Sequence, residues 1–551
     1  MIGTSQLAIS ALGVSCLLLV WRKPLGRLLR AKRYFRGRSV SKPRRVTRPL
    51  GSDTGDGLVW GDALLPAAAA TRHFLVAGTT GSGKTHVQRL LLQTPLLRLG
   101  PGTDSRVLAY DAKGDTTAYL KQIGVTAPVY SLNPFESRSE FPRAVGWDAG
   151  GDITSPMRAL NLAAALVPKE GGGNNLFFTN ASRHVAAGVL KSLLRHNAGA
   201  WSFSDFIAIS LNRSLTKQVL SRDAGGRRVV ETYLRDDRTG DDVYSTLCTH
   251  LSYFEPVAAL WRGLPRKLSL REWLGTSSVL LLGHDATASA ALDVLNEQLF
   301  RLFADEVDTQ TNSSSRRTWV WLEEAREAKG IIGSEALQQL ANKGRSRGVC
   351  LVVAFQAVEG LYSAAGKEQA ENLVSQCSHK CLLRLESPAS ARWASDLLGQ
   401  HETIEVFRSD GDRILAGESR SEQRVQKDAV LPSEFYALPE TSASQGLTGY
   451  FARPNDQPRR VWVSPHVIER VVVSDSNERA HAVVARAESD QWLPELTSDD
   501  ADRLGIEFER SVDAEPARSP AKRLRLRSVV GKPEAAVTDQ QALAEALLPN
   551  R

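Results

Sequence analysis

The sequence predicts an α/β protein: a mostly parallel sheet carrying an inserted all-α domain, with one apolar helix ahead of it and a disordered tail behind. Three observations lead there. Short apolar runs recur from Leu58 to Val463, and several end on Gly, Asp, Glu or Gln, as buried parallel strands do when they deliver polar groups at their carboxyl ends. Between about residues 155 and 270 the apolar spacing turns helical. The composition changes character at both termini. With 551 residues the chain is too long for one ordinary core, and 42% hydrophobic with 24% charged residues is a globular balance.

The first element is residues 7–21, LAISALGVSCLLLVW, an uncharged run that reaches back to Met1. A helix needs about 20 residues to cross a bilayer, so the run is just sufficient. A cleaved signal peptide carries its positive residues before the apolar core. Here Trp21 and then Arg22, Lys23, Arg27, Arg30, Lys32 and Arg33 come after it, which fits an interfacial aromatic and the positive-inside rule. Residues 1–50 are therefore expected to be a single transmembrane anchor and a basic linker facing solvent or lipid headgroups, with the rest of the chain cytoplasmic.

Charge supports this division. Residues 22–48 hold twelve Lys and Arg and no acid precedes Asp53; setting those twelve aside leaves 57 basic against 61 acidic residues. The formal charge of +8 thus belongs to the N-terminal segment, and the body is not basic enough to argue for nucleic acid by itself. Five scattered cysteines suit a reducing compartment. Cys377-Ser-His-Lys-Cys381 has no second ligand pair at zinc-finger spacing and leads into an apolar run, so it reads as a buried segment.

Residues 51–154 hold the first part of the expected sheet. Phe74-Leu-Val-Ala77 is an apolar strand, and Gly78-Thr79-Thr80-Gly81-Ser82-Gly83-Lys84-Thr85 is a complete G-x-x-x-x-G-K-[ST] before a helical stretch. The glycines let backbone N–H groups face a phosphate, and the next helix points its positive end at the same place. ATP is the expected ligand, with Lys84 on the β/γ oxygens and Thr85 on Mg²⁺. Arg106 to Asp111 is the next strand; Asp111 either caps a turn or joins the nucleotide site from the strand's carboxyl end. Pro128 to Phe135 supplies another strand.

Residues 155–270 are the inserted helical domain, and residues 271–465 return to the sheet with Ser278 to Gly283 and a helix over 290–307. Trp319-Val-Trp-Leu322 ends in two carboxylates: Glu323 to bind Mg²⁺ and Glu324 to activate the attacking water. Val349 to Phe355 ends on Gln356, placed to orient the water or sense the γ-phosphate. Arg345 and Arg347 precede that strand; they are either surface arginines around a turn or residues that act in trans on a neighbour's nucleotide. From residue 466 to 551 the composition is polar and predicts a largely disordered tail.

Taken together, His73 to Thr85, Tyr110-Asp-Ala-Lys-Gly-Asp115, Asn133-Pro-Phe135, Leu322-Glu-Glu324, Gly344-Arg-Ser-Arg-Gly348 and Ala354-Phe-Gln356 resemble the type IV secretion coupling proteins, the TraD/TraG-type ATPases of conjugation. The likeness spans about residues 55–465 and extends more distantly to hexameric chromosome-segregation translocases. It implies a RecA-like P-loop NTPase fold and a homohexamer in the bacterial inner membrane. It also implies a motor that passes a relaxase-bound DNA to a type IV secretion channel. Lys84, Thr85, Glu323, Glu324 and Gln356 carry over by position. Two departures stand out: Glu323 occupies a place where the family usually has Asp, and one span is expected where two are common. The competing readings are an anchored adaptor that uses ATP only to assemble, and a related motor for plasmid partition or phage defence.

Overall fold

The structure, a computed structural model, describes residues 33–507 apart from 51–56, 137–140, 170–173, 410–418, 481–483 and 485. The expected membrane span over residues 7–21 lies outside the described residues. Among those described, no helix is long and apolar enough to cross a membrane.

An 11-stranded sheet organises the chain. Its strands are β1 (Ser41–Val46), β2 (Phe74–Ala77), β3 (Ser105–Asp111), β4 (Val129–Ser131), β5 (Arg143–Ala144), β6 (Val279–Gly283), β7 (Arg317–Leu322), β8 (Val349–Phe355), β9 (His379–Leu382), β10 (Leu447–Ala452) and β11 (Arg459–Val463). They lie in the order β1-β11-β10-β9-β2-β8-β7-β3-β6-β4-β5. From β9 to β5 every pairing is parallel, while β10 is antiparallel to both of its neighbours. Alternate residues serve opposite faces: Leu75, Ala77, Leu108 and Tyr110 enter one core, and Phe74, Val76, Val107 and Ala109 the other. Both faces are covered, which is why the central strands read as unbroken apolar runs.

The register makes the carboxyl ends of the central strands flush. Phe355 of β8 pairs with Ala77 of β2, and Leu322 of β7 pairs with Val353 of β8 and Tyr110 of β3. The residues just beyond each strand therefore arrive at one edge. Two helices bear on that edge and its support: α1 (Lys84–Leu97), which leaves the sheet after β2, and α2 (Ser289–Thr309), which comes after β6.

Between Ala149 and Leu274 the chain is almost entirely helical. Ser155, Ser202, Asn212, Asp223 and Asp237 each cap a helix start there by accepting a backbone N–H, as short polar side chains do. The entry strand Gly146–Trp147 pairs in parallel with the exit strand Lys267–Leu268, closing the base of this region. Buried Asp152 ties the base together, accepting from Trp147 Nε1 at 2.8 Å, Leu270 N at 3.0 Å and Arg271 N at 3.2 Å. Glu306 of α2 joins the same region through Arg158 at 2.6 Å and Arg271 at 3.0 Å.

Two expectations are corrected. Residues 33–46 are not a linker. Arg33–Gly37 pairs with a hairpin made of Gln400–Ser409 and Ser419–Asp428, and β1 is an edge strand of the main sheet. An edge tolerates Pro43, while Arg45 lies 4.3 Å over the Trp462 ring and Val46 is buried. The tail is also ordered well past residue 466. Val471 is buried with the α1 core, and Leu496, Leu504 and Ile506 are buried with the helical region. Arg503 makes a paired contact with Asp205, 2.9 Å to each carboxylate oxygen. A few widely spaced apolar anchors and ion pairs suffice, too sparse to register as periodicity. Residues 508–551 lie outside the described residues.

Candidate nucleotide-binding site

The loop after β2 turns on two glycines, Gly81 at φ 74 and Gly83 at φ 100, in the left-handed region that other residues avoid. It is anchored on both sides of β2: Gly78 N donates to Phe355 O at 3.2 Å and Thr79 N to Arg384 O at 2.8 Å. Ser82 Oγ donates to Thr79 O at 2.6 Å inside the loop. A third support comes from beyond β9, where Thr441 N donates to Gly81 O at 3.0 Å and Thr441 Oγ1 to Ser82 O at 2.8 Å. α1 begins at Lys84, so its unpaired N–H groups open onto the loop.

Lys84 is 8% exposed, donates to Thr79 O at 3.3 Å and stands 3.9 Å from Glu324 Oε2. Burial pulls its ammonium below the usual lysine range, and Glu324 opposes that pull. Thr85 Oγ1 donates to Glu323 Oε1 at 2.8 Å. Gln356 Nε2 donates to Glu324 Oε2 at 3.2 Å. Thus Lys84, Thr85, Glu323, Glu324 and Gln356, drawn from three strands, form one contiguous group. Gly78 and Ser82 to Lys84 are buried in it, whereas Thr80 and Gly81 face solvent.

Asp111 is brought to the same edge by β3. It accepts from Gly114 N at 2.9 Å and lies beside Asp115 and Glu323. Burial, helped by Glu323 and Asp115, pushes its carboxyl up to about 7, and the Glu323 carboxyl is raised by burial and Asp115. Lys113 Nζ stands 3.8 Å from Glu323 Oε1. The buried oxygens Glu323 Oε2, Glu324 Oε1 and Asp115 Oδ1 have no hydrogen-bond partner among the described residues. Lone carboxylate oxygens in a buried acidic group are what a divalent cation and its water would occupy, so the residues fit Mg²⁺.

Arg345 and Arg347 are elsewhere. They precede β8 and so emerge at the opposite edge of the sheet. Arg347 pairs with Asp308 at 3.0 Å and donates to Gln310 O at 3.2 Å. Arg345 is exposed and lines a cavity of about 690 Å³ with Arg317, Lys343 and Arg347. Cys377 and Cys381 are buried beside an apolar core, in keeping with a structural segment.

Comparison with known proteins places the chain. Residues 60–459 match the sequence family of type IV secretion-system coupling protein DNA-binding domains, well over half of the chain. The chain belongs to the type IV secretion-system coupling proteins. Solved structures agree on the fold. The bacterial conjugative coupling protein TrwBdeltaN70, in its unbound monoclinic form, superposes with a TM-score of 0.59 at 20% identity, covering 79% of this chain and 94% of that one. The plasmid coupling protein TrwB in complex with ADP and Mg²⁺ gives 0.59 at 20% identity over 83% of this chain and 98% of that one. TrwB in complex with a non-hydrolysable ATP analogue gives 0.57 at 19% identity, with 81% and 95% covered. No curated protein matches the chain significantly.

In this coupling protein, sequence reasoning gave no role to four contributors. Thr441 reaches the loop from more than 350 residues away, with no local signal. Arg89, on α1, holds Asp115 at 2.9 Å and packs 4.8 Å over the Tyr119 ring. Lys113 and Asp115 sit in the Asp-x-Lys-Gly-Asp segment, whose alternating charges were a signal that only folding gave a direction.

Proposed function

We propose that this coupling protein is an inner-membrane-anchored, homohexameric ATPase. It takes DNA from a relaxase complex and drives it toward a type IV secretion channel. The observation that carries the reading is the convergence of Lys84, Thr85, Glu323, Glu324 and Gln356 at one sheet edge. Membership of the family and the fold shared with TrwB, solved with ADP and Mg²⁺, support it. In this scheme the loop from Gly78 to Thr85 cradles the phosphates and Lys84 neutralises the β/γ oxygens. Thr85 and Glu323 hold Mg²⁺, which supplies charge neutralisation at the phosphates. Glu324, whose Oε1 has no partner among the described residues, takes the proton of the attacking water, and Gln356 fixes the orientation of that carboxylate. Arg345 and Arg347, remote from their own chain's site, serve a neighbouring subunit's triphosphate.

The test is ATP hydrolysis by the purified full chain in detergent, with and without DNA at several salt concentrations. Stimulation by DNA that weakens steeply with salt is expected. Hydrolysis indifferent to DNA, or full DNA transfer by Lys84→Ala or Glu324→Gln chains in cells, would overturn it.

A further inference from the structure

We infer that Asp111 and Asp115 complete the cation site, so that the divalent ion is held by the acidic turn after β3 as well as by Thr85 and Glu323. The inference rests on the nucleotide reading above and deepens it. Asp111, Asp115 and Glu323 each present one oxygen, and these oxygens all lie within 4.8 Å of one another. Opposite ligands of an octahedral Mg²⁺ are about 4.2 Å apart, so this spread suits direct ligands together with a bridging water. Oxygen-only donors select a hard cation such as Mg²⁺ or Mn²⁺.

Glu323 is 2% exposed, yet its Oε2 has no partner among the described residues; the nearby Asp115 Oδ1 has none either. The opposite oxygens are secured. Glu323 Oε1 accepts from Thr85, and Asp115 Oδ2 faces Arg89 at 2.9 Å. Arg89 in turn lies over Tyr119, whose hydroxyl donates to Arg89 O at 2.8 Å. Asp111 accepts from Gly114 N at 2.9 Å. Glu323 and Asp115, each oriented from behind with one oxygen left over, have the construction of metal ligands with supporting partners.

The turn itself is built for this. Gly114 adopts φ 73, a left-handed residue that folds Asp115 back toward the end of β3. Three carboxylates this close repel one another, and Lys113, 3.8 Å from Glu323, and Arg89, 2.9 Å from Asp115, lie beside them.

The experiment titrates a fluorescent ATP analogue into the full chain in EDTA and in saturating Mg²⁺, alongside Mn²⁺ binding followed by electron paramagnetic resonance without nucleotide. The expected result is a wild-type chain that binds the analogue more tightly with Mg²⁺. Asp115→Asn and Asp111→Asn should each lose about tenfold to a hundredfold of cation affinity. Their analogue binding in EDTA should match the wild type. Unchanged cation affinity in both variants, with wild-type binding that does depend on Mg²⁺, would overturn this inference and leave the nucleotide reading intact. A wild-type chain that binds no analogue in either condition would overturn both.

Discussion

Thr85 Oγ1 donates to Glu323 Oε1 at 2.8 Å, although 238 positions separate the two residues in the chain. β8 lies between β2, which leads into the loop and helix that carry Thr85, and β7, which ends just before Glu323. Glu324, the next residue, meets both Lys84 and Gln356. The whole group therefore depends on how β2, β8 and β7 are ordered.

The two carboxylates should separate in role. Glu324→Gln keeps the shape of the side chain and removes its basicity. Hydrolysis should fall by about 10²- to 10⁴-fold while nucleotide affinity stays near wild type. Glu323→Gln should instead weaken binding only when Mg²⁺ is present. Steady-state hydrolysis and equilibrium titration of both variants check the distinction.

The two left-handed glycines of the loop should respond differently to alanine. A Cβ at Gly83 would lie 2.5 Å from Thr441 Oγ1 and 2.6 Å from Leu447 Cδ1, whereas one at Gly81 meets open space. Gly81→Ala carries only the backbone cost of about 1–2 kcal/mol, and Gly83→Ala adds overpacking of about 1–3 kcal/mol. Thermal unfolding should rank Gly83→Ala well below Gly81→Ala.

Removing Arg503 leaves Asp205, 2% exposed, without its paired cation. Arg503→Ala should cost about 1–3 kcal/mol, less than a fully buried pair because the arginine is partly exposed. Loss should concentrate in residues 496–506, measured as faster proteolysis and hydrogen exchange there.

Acid should loosen the same segment. Burial would raise Asp500, but the Thr497 N–H and the Arg503 and Arg262 guanidiniums outweigh it and hold the carboxyl below the usual range. A depressed folded-state value contributes stability above the unfolded value of about 3.9 and loses it as pH falls through the folded value. Hydrogen-exchange protection of residues 496–506 should therefore hold from pH 7 to about 5 and decline below about 4. Asp500→Asn should be less stable at neutral pH and flatten that dependence.

Arg345 provides a test of the proposed action in trans. Arg345→Ala chains should bind nucleotide normally and hydrolyse it slowly, by about 10³-fold or more if the residue acts as an arginine finger. Mixing them with Glu324→Gln chains should restore part of the lost hydrolysis, measured against each variant alone.

What could be read from the chain was whatever is contiguous along it. The phosphate loop between Ala77 and α1, the strand ending at Glu323–Glu324 and the one ending at Gln356 are each written in a single short segment. Apolar runs buried on both faces made the central strands visible in the same way. Less was visible in the paired strands Gln400–Ser409 and Ser419–Asp428, rich in charged and polar residues, and in the segment after residue 466, held by Val471, Leu496, Leu504, Ile506 and Arg503 at wide intervals.

Folding alone decided which of these local signals meet. The order β2-β8-β7-β3 set the loop, Gln356, Glu323 and Asp111 at one edge and sent Arg345 and Arg347 to the other. It also laid Thr441 on the loop and Arg89 against Asp115. A strand specifies its own buried faces by its side chains, but its neighbours are chosen by packing across the whole sheet. That is why the identities of the chemical groups were local information and their assembly into one site was not.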